Sequence, residues 1–273
     1  MLKVNTEACI GCGQCVQDCF PNDIERIDGK AQVKNRNCIK CGHCIAICPK
    51  RAISTDEYNM EEVKEYNRDE FSVGAEQLLN FIKFRRSVRQ FRDKEVEKEK
   101  ILQIIEAGRF TQTGSNLQDV SYIVVREGLP ELKALTYETL KKMGEHLLDQ
   151  PTPGAKLLRR YAKMWVDMYQ AFQKNPHEND RLFFNAPAII IVTANSQING
   201  ALASSNMELM TNALGLGTFF SGFFVRAAQQ SKKIMDFLNI EGDRQVVTCM
   251  VIGYPNVKYY RTVPRKEAAI YWK

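Results

Sequence analysis

Eight of the nine cysteines in this chain stand in two copies of the spacing Cys-x2-Cys-x2-Cys-x3-Cys. Three thiolates that follow one another at this spacing can wrap one face of a 4Fe-4S cube, whereas the fourth is carried round a helical turn toward a second cube. The repeat therefore predicts two 4Fe-4S clusters whose ligands cross between the copies. One set is Cys9, Cys12, Cys15 and Cys48, and the other is Cys38, Cys41, Cys44 and Cys19.

Zinc sites and disulfides are two other uses of cysteine that fit this pattern less well. A zinc site needs only four ligands, usually as two separated pairs, and a disulfide framework does not produce a duplicated close spacing in a chain of this length. The segment 1–56 resembles bacterial two-cluster ferredoxins, although Phe20 interrupts the Cys-Pro junction of the first copy. That resemblance implies a carrier of single electrons. Tight ligand loops, in which backbone N–H groups turn toward sulfur, are favoured by Gly11, Gly13 and Gly42.

The composition limits the remaining possibilities. At 273 residues the chain is too long for the cysteine module alone and suits one small and one medium domain. No apolar run approaches the length of a membrane span, and the amino terminus lacks the apolar core of a signal peptide. We therefore expect a cytoplasmic protein without a membrane partner. The formal charge of +6 does not indicate nucleic-acid binding, because the cations are scattered and anionic clusters would offset them.

The organisation of the chain changes after residue 56. A charged stretch that is poor in large aliphatic residues predicts a linker at 57–75 between a two-cluster domain at 1–56 and a second domain at 76–273. Short strands are expected at 2–5 and 31–33. The second domain alternates helical and strand periodicity, which indicates an α+β domain on a central sheet. Helices are expected near 78–84, 96–109, 129–148, 155–173, 198–214 and 225–238, and strands near 120–127, 188–194, 217–221 and 245–254.

The basic segment RRSVRQF is the second pattern that could do chemistry. Its guanidinium forks and one hydroxyl match a phosphate and the carbonyl edge of a flavin, because planar forks pair well with such groups. Taken alone, the segment is also explained by a solvated helix end, since short basic clusters are common. The residues concerned are Arg85, Arg86, Ser87 and Arg89.

Together with later segments, RRSVRQF resembles the nitroreductase family of FMN enzymes across residues 76–273. The later segments are TGSNLQD, NAPAIIIVTA, NMELMTNALGLGTFFSGF, VIGYP and YYRTVPRK. The resemblance implies a central, mainly antiparallel sheet flanked by helices, a homodimer, and FMN at the subunit interface. Asp119 and Val120 stand where the family often has Pro-Trp. The residues implied to bind FMN are Arg85, Arg86, Ser87, Arg89, Ser115, Asn116, Gln118, Ser221 and Gly222, completed by Arg261, Arg265 or Lys266.

A ferredoxin module joined to a flavin domain would convert single electrons into pairs, since FMN accepts electrons either way. We therefore expect an FMN-dependent oxidoreductase that passes electrons from 4Fe-4S clusters to FMN and on to a small conjugated acceptor. The resemblance implies a nitroaromatic, a quinone or a similar acceptor, and no catalytic side chain is required. Ferredoxin and NAD(P)H both remain open as the donor. The alternative function is an electron carrier or redox sensor without a small-molecule substrate.

Three further features have ordinary explanations. Cys249 lies in an apolar strand pattern and is expected to be a buried packing residue. His43 is surplus to the cysteine ligands and is expected to tune a cluster or to lie at the surface. The helix at 155–173 carries Tyr161, Trp165, Tyr169 and Phe172, which could form a pocket wall or an aromatic core stripe.

Overall fold

The computed structural model describes residues 1–149 and 156–273. Within them the chain divides into two compact units. Unit 1 comprises Met1–Gly74 and Thr113–Leu117, and unit 2 comprises Ala75–Gln112 and Gln118–Lys273. The expected helix breaker QPTPG and the first residue of the helix expected at 155–173 lie outside the described residues.

The part of unit 1 up to residue 55 contains two antiparallel strand pairs and two one-turn helices. The strands are β1 (Leu2–Val4), β2 (Ile24–Ile27), β3 (Lys30–Val33) and β4 (Ile53–Thr55), and the helices are α1 (Gln14–Gln17) and α2 (His43–Ala46). Strand β1 pairs with β4, and β2 pairs with β3. Asp28 and Gly29 link β2 to β3 with positive φ angles of 48° and 77°, as a two-residue hairpin turn requires. The strands expected at 2–5 and 31–33 are present, and each has a partner that the sequence did not predict.

The duplicated sequence of unit 1 has a duplicated backbone. Gly13 precedes α1 with φ 78°, and Gly42 precedes α2 with φ 75°. Each helix has one buried cysteine, Cys15 in α1 and Cys44 in α2. Because glycine enters the left-handed region without a steric cost, both copies can make the same sharp turn into their helix.

After β4 the chain forms only short elements before unit 2 begins. A 3₁₀ helix spans Met60–Glu62, and α3 spans Arg68–Phe71. Asn59 and Asn67 cap these two elements, since their side chains accept hydrogen bonds from the N–H groups of Glu61 and Asp69. Neither element contains a buried residue.

Unit 2 is built on a four-stranded sheet in the order β5-β6-β8-β7, in which all neighbours are antiparallel. Helices accompany this sheet, so the expected α+β class with an antiparallel sheet is confirmed. The strands are β5 (Ser121–Val125), β6 (Ala188–Ala194), β7 (Gly217–Phe220) and β8 (Gln245–Gly253). The helices are α4 (Ala75–Phe84), α5 (Lys98–Arg109), α6 (Leu129–Asp149), α7 (Lys156–Lys174), α8 (Gln197–Ala213), α9 (Gly222–Ala228) and α10 (Lys232–Phe237).

The two faces of the sheet are covered by different helices. Strand β6 is buried along its whole length, and alternate residues enter two separate cores. Ile189 and Ile191 pack in one core with residues of α6, α7 and α9, whereas Ile190 packs in the other with residues of α5 and α8. Cys249 of β8 is fully buried in the first core, so its expected packing role is confirmed. The period of two along the strand therefore produces a layer of helices on each face.

Two parts of unit 2 leave apolar side chains uncovered in the single chain. None of the residues of α4 is buried, although Leu78, Leu79 and Ile82 lie on it. Residues 258–273 have no regular structure and are exposed, including Trp272, which is 91% exposed. No helix within residues 1–149 and 156–273 is both long and apolar enough to cross a membrane.

Candidate functional site

The first cysteine site is a cavity in unit 1. Among the residues that line it are Cys9, Cys12, Cys15 and Cys48, so the side chains come from both copies of the motif. Backbone N–H groups lie close to two of the sulfurs: the N–H of Ala31 donates to Cys9 Sγ at 3.5 Å, and that of Ala52 donates to Cys48 Sγ at 3.2 Å. Four thiols and N–H donors around one cavity fit a thiolate-ligated iron–sulfur cluster.

The second cysteine site has the same construction from the complementary residues. Its cavity is lined by Cys19, Cys38, Cys41 and Cys44. The N–H of Asp23 donates to Cys19 Sγ at 3.3 Å, and that of Lys40 donates to Cys38 Sγ at 3.4 Å. The structure therefore brings the cysteines together in the two crossed sets that the spacing indicates, and the donor set again fits a 4Fe-4S cluster.

Burial and backbone contacts shift the pKa of individual thiols in opposite directions. Burial raises the pKa of Cys44 to about 11, and it also raises the pKa of Cys15. The backbone N–H groups of Ala31 and Gly11 lower the pKa of Cys9. A buried thiol with a raised pKa is protonated at neutral pH unless a cation stabilises its thiolate, so ligation of iron at Cys44 would release a proton.

Gly11 is required by the packing of the first ligand loop. Its φ is +68°, and a Cβ at this position would lie 1.8 Å from the carbonyl oxygen of Gly29. The hairpin turn between β2 and β3 thus packs directly against the loop that contains Cys9 and Cys12. No side chain larger than hydrogen fits there without moving the backbone.

The second chemical site is a cavity in unit 2 at the junction of β7 and α9. It measures about 750 Å³ including its open mouth. The predicted residues Arg89, Ser221 and Gly222 line it, together with a set of aromatic side chains: Phe184, Phe219, Phe220 and Phe223. A polar edge combined with flat aromatic walls is the composition expected of a site for a planar cofactor or ligand.

Strand β7 positions the basic segment at this cavity. Ser87 forms a parallel bridge with Thr218, and the N–H of Val88 donates to the carbonyl of Thr218 at 3.0 Å. Gly217 permits this approach, because a Cβ there would lie 2.7 Å from a methyl carbon of Val88. Arg89 follows Val88 directly, and its guanidinium carbon lies 5.5 Å from the centre of the Phe219 ring. In the part of the chain that the structure describes, Arg89 forms no ion pair, so its charge remains available for an anion.

Ser221 also lines this cavity, and two hydrogen bonds hold it in place. Its N–H donates to the carbonyl of Cys249 at 2.8 Å, and its hydroxyl donates to the carbonyl of Leu182 at 3.2 Å. Because both polar groups bond to the protein, Ser221 fixes the β7–α9 turn. The next residue, Gly222, is exposed and begins α9.

The other two arginines of the segment contact different partners. Arg85 Nη1 donates to Glu208 Oε1 at 2.9 Å, and the Glu208 side chain is only 8% exposed. Burial raises the pKa of Glu208, while Arg85 opposes that rise. Arg86 donates to the carbonyls of Arg85 and Arg261, which brings the basic segment and the tail together. Glu208 was not anticipated, because it lies far along the chain from Arg85.

The remaining residues predicted to bind flavin are not among those that line this cavity. Asn116 Nδ2 donates to the carbonyls of Ile39 and Lys40, and the segment Thr113–Leu117 belongs to unit 1. Ser115, Asn116 and Gln118 have positive φ angles of 51°, 54° and 48°. Arg265 and Lys266 lie in the exposed tail.

Asp119 has a local structural role. Its carboxylate accepts hydrogen bonds from the N–H groups of Asn195 and Ser196 and from Asn199 Nδ2. It thereby secures the turn that leads into α8.

The sequence did not predict the residues that α7 and the segment before β6 contribute to the cavity. Met164, Met168 and Arg181 line it, but no local motif marks them. Of the aromatic residues on α7, Trp165 is 1% exposed and Phe172 is 7% exposed. Both belong to the core, so the alternative of an ordinary core stripe describes them, and methionines form the α7 wall of the cavity instead.

Comparison with known proteins identifies both parts of the chain. Residues 82–254 match the model of the nitroreductase family. The chain belongs to the nitroreductase family. Residues 1–49 of this nitroreductase-family protein match the model of a 4Fe-4S dicluster domain. The two resemblances noted in the sequence are therefore confirmed.

Several relatives of this nitroreductase-family protein are known. A protein of Archaeoglobus fulgidus has a name that refers to NADH dehydrogenase and NAD(P)H nitroreductase. It is 27% identical to this chain over 180 residues, which cover 66% of this chain and 86% of that protein. The crystal structure of an FMN-bound nitroreductase from Bacteroides fragilis matches with a TM-score of 0.56 and 19% identity, over 71% of this chain and 98% of that chain. An FMN-bound nitroreductase from Desulfitobacterium hafniense matches with a TM-score of 0.52 and 20% identity, over 71% and 97% of the two chains. These likenesses show the shared fold.

Proposed function

We propose that the protein is an iron–sulfur flavoprotein oxidoreductase that accepts single electrons at two 4Fe-4S clusters and delivers them, through FMN, to a small conjugated acceptor such as a nitroaromatic or a quinone. The observation that carries this proposal is the aromatic cavity of unit 2, where Arg89 meets the β7–α9 turn in a nitroreductase-family fold. Two four-thiol cavities in the same chain support the supply of single electrons.

In unit 1, eight thiols would hold the two clusters. Cys9, Cys12, Cys15 and Cys48 would bind the first, and Cys19, Cys38, Cys41 and Cys44 would bind the second. The backbone N–H groups that approach the sulfurs would stabilise the negative charge of each cluster. These ligands belong to the proposed domain 1–56, which the proposed linker 57–75 joins to a flavin domain at 76–273.

In unit 2, FMN would supply a centre that accepts electrons singly or in pairs. The guanidinium of Arg89 would bind an anionic or carbonyl group, since it has no competing ion pair in the described residues. The hydrogen bonds of Ser221 would hold the turn in place, and the exposed Gly222 would present its backbone to the ring edge, while aromatic walls would exclude water. Further contacts are proposed from Arg85, Arg86, Ser87, Ser115, Asn116, Gln118, Arg261, Arg265 and Lys266.

FMN binding is supported by the relatives as well as by the cavity. The nitroreductases from B. fragilis and D. hafniense both contain bound FMN. The name of the A. fulgidus protein refers to NAD(P)H, so NAD(P)H is one proposed donor, and reduced ferredoxin is the other. A reaction centred on a flavin does not require a protein nucleophile or an acid–base pair, and we propose no catalytic side chain.

We also propose that the protein is a homodimer. Helix α4 has apolar side chains and no buried residue, and the exposed tail carries Tyr260, Tyr271 and Trp272. Apolar surface of this kind in a folded chain is commonly covered by another subunit. The cysteine ligands must stay reduced, which suits the cytoplasm. Nucleic acid is not among the proposed partners.

The decisive experiment compares electron donors under anaerobic conditions. Full-length protein would be mixed with NADH, NADPH or reduced ferredoxin, and the flavin absorbance and the turnover of a quinone and a nitroaromatic would be recorded. We expect at least one donor to support acceptor turnover. If the flavin is reduced but no acceptor is turned over, the chain is an electron carrier or redox sensor instead.

A cluster variant tests the internal electron route. Cys12 is exposed, so Cys12→Ser should disturb the first cluster with little effect on the fold of unit 2. We expect the variant to retain FMN and to lose turnover with reduced ferredoxin. Turnover from ferredoxin at the rate of the unmodified protein would show that the clusters do not supply the flavin.

A further inference from the structure

The two cysteine cavities of unit 1 differ in charge at one equivalent position. Asp23 follows Cys19 by four residues, and Ala52 follows Cys48 by four residues. Their backbones act alike, since each N–H donates to the sulfur of the preceding cysteine, at 3.3 Å and 3.2 Å. The two side chains differ, because Asp23 has a carboxylate and Ala52 has only a methyl group.

The Asp23 carboxylate is buried beside the second cavity, which it lines. The residue is 1% exposed, and its Oδ1 accepts hydrogen bonds from the N–H groups of Arg36 at 3.0 Å and Asn37 at 2.9 Å. Its Oδ2 is buried and has no hydrogen-bond partner in the described parts of the chain. N–H donors of this kind stabilise the ionised carboxylate, so a fixed negative charge lies against the second cluster site.

The first cavity has the opposite charge character. Arg26 and Lys50 line it, and Lys30 Nζ donates to the carbonyl of Cys9. No lysine or arginine is among the residues that line the second cavity, where His43 pairs with the exposed Asp18. Lys40 lies within the second motif, between Cys38 and Cys41, but its ammonium pairs with Glu57.

We propose that Asp23 holds the second 4Fe-4S cluster, bound by Cys19, Cys38, Cys41 and Cys44, at a more negative reduction potential than the first. The inference rests on the two clusters proposed above. Reduction adds one electron and therefore one negative charge to a cluster, and a buried carboxylate opposes that addition more strongly than an exposed one. An electron shared between the clusters then resides on the first, bound by Cys9, Cys12, Cys15 and Cys48, and electrons that enter at the second move downhill to it.

The test is an anaerobic redox titration of the full-length protein loaded with both clusters. The hyperfine-shifted NMR signals of the cysteine β-protons report which cluster is reduced at each potential. In the unmodified protein we expect the second cluster to be reduced last, with an equilibrium ratio of at least about tenfold in favour of the reduced first cluster, which equals 59 mV for one electron. The opposite order, or equal potentials, overturns the proposal without any variant.

The substitution Asp23→Asn removes the charge and keeps the size of the side chain. We expect it to shift the equilibrium toward the reduced second cluster by about tenfold while the first cluster changes by less than about threefold. Asp18→Asn is the matched control, since that carboxylate is 39% exposed and screened by water. An equal shift of both clusters, or an equal effect of the two variants, refutes a local role for Asp23.

Two outcomes separate this inference from the proposed function. A protein that loads fewer than two clusters overturns the inference together with the cofactor assignment. A protein with two clusters in the expected order that turns over no acceptor leaves the inference supported and removes only the proposed reaction.

Discussion

A methyl group added at Gly11 tests how tightly the first ligand loop is built. In Gly11→Ala, the new Cβ would lie 1.8 Å from the carbonyl oxygen of Gly29 and 3.0 Å from its carbonyl carbon. The matched variant is Gly13→Ala, in the same loop. Gly13 has a similar positive φ, +78°, but nothing lies within 4 Å of its Cβ position. The pair separates the cost of the backbone angle from the cost of the contact.

The expected magnitudes follow from these two terms. A residue with a Cβ in the left-handed region costs about 1–2 kcal/mol, and both variants incur this cost. Gly11→Ala must also displace the β2–β3 turn, and overpacking of this kind costs about 1–3 kcal/mol more. We therefore expect a total of about 2–5 kcal/mol for Gly11→Ala and about 1–2 kcal/mol for Gly13→Ala. The added cost of about 1–3 kcal/mol corresponds to a loss of correctly folded ligand loops that is about 5- to 160-fold larger than in Gly13→Ala.

The assay is anaerobic cluster reconstitution followed by iron analysis and the rate of iron loss to a chelator. Gly13→Ala should load nearly as much iron as the unmodified protein and lose it somewhat faster. Gly11→Ala should lose iron from the first site at least about fivefold faster than Gly13→Ala. Equal iron content and equal loss rates in the two variants would refute the inferred contact between the ligand loop and the hairpin.

Three further predictions address the cofactors and the assembly. Anaerobically purified protein should contain about eight irons per chain; about one iron per chain, or bound zinc, contradicts the cluster assignment. Arg89→Ala should weaken FMN binding by about 1.5–3 kcal/mol, measured by flavin fluorescence on dilution. Arg92→Ala, which removes a nearby guanidinium that donates to the carbonyl of Pro255 at 3.0 Å, is its control, and equal flavin loss from both variants would place the flavin elsewhere. Leu79→Asp on α4 should shift a dimer toward monomer in light-scattering measurements, whereas Leu157→Asp on α7 should not; an unchanged dimer in Leu79→Asp removes α4 from the interface.

The cysteine chemistry could be predicted from the sequence because it depends on spacing along the chain. Thiolates two or three residues apart are confined to short loops and single helical turns, so their separation limits which cluster they can bind. The strand expected at 188–194 could likewise be predicted, because a short apolar run rich in β-branched residues favours a strand. Local periodicity also predicts helices that pack an apolar stripe in the core, such as α5 with Ile101 and Ile104.

The flavin-side cavity depended on tertiary structure because its walls come from distant segments. Arg89 is placed there by the bridge between Ser87 and Thr218, and Arg181 and Met168 join it from other segments. Arg85 stands only four residues before Arg89, but it is held by Glu208, which is 123 residues away. No local pattern encodes such contacts.

Burial and partner choice also separate residues that look alike in the sequence. Asp18 and Asp23 are both acidic residues beside Cys19, yet one is exposed and pairs with His43, whereas the other is 1% exposed. Through short-range geometry the sequence determined which cysteines line each cavity of unit 1 and the succession of elements. Only the tertiary structure decided which charges are withdrawn from water, and that depends on long-range packing that no short segment specifies.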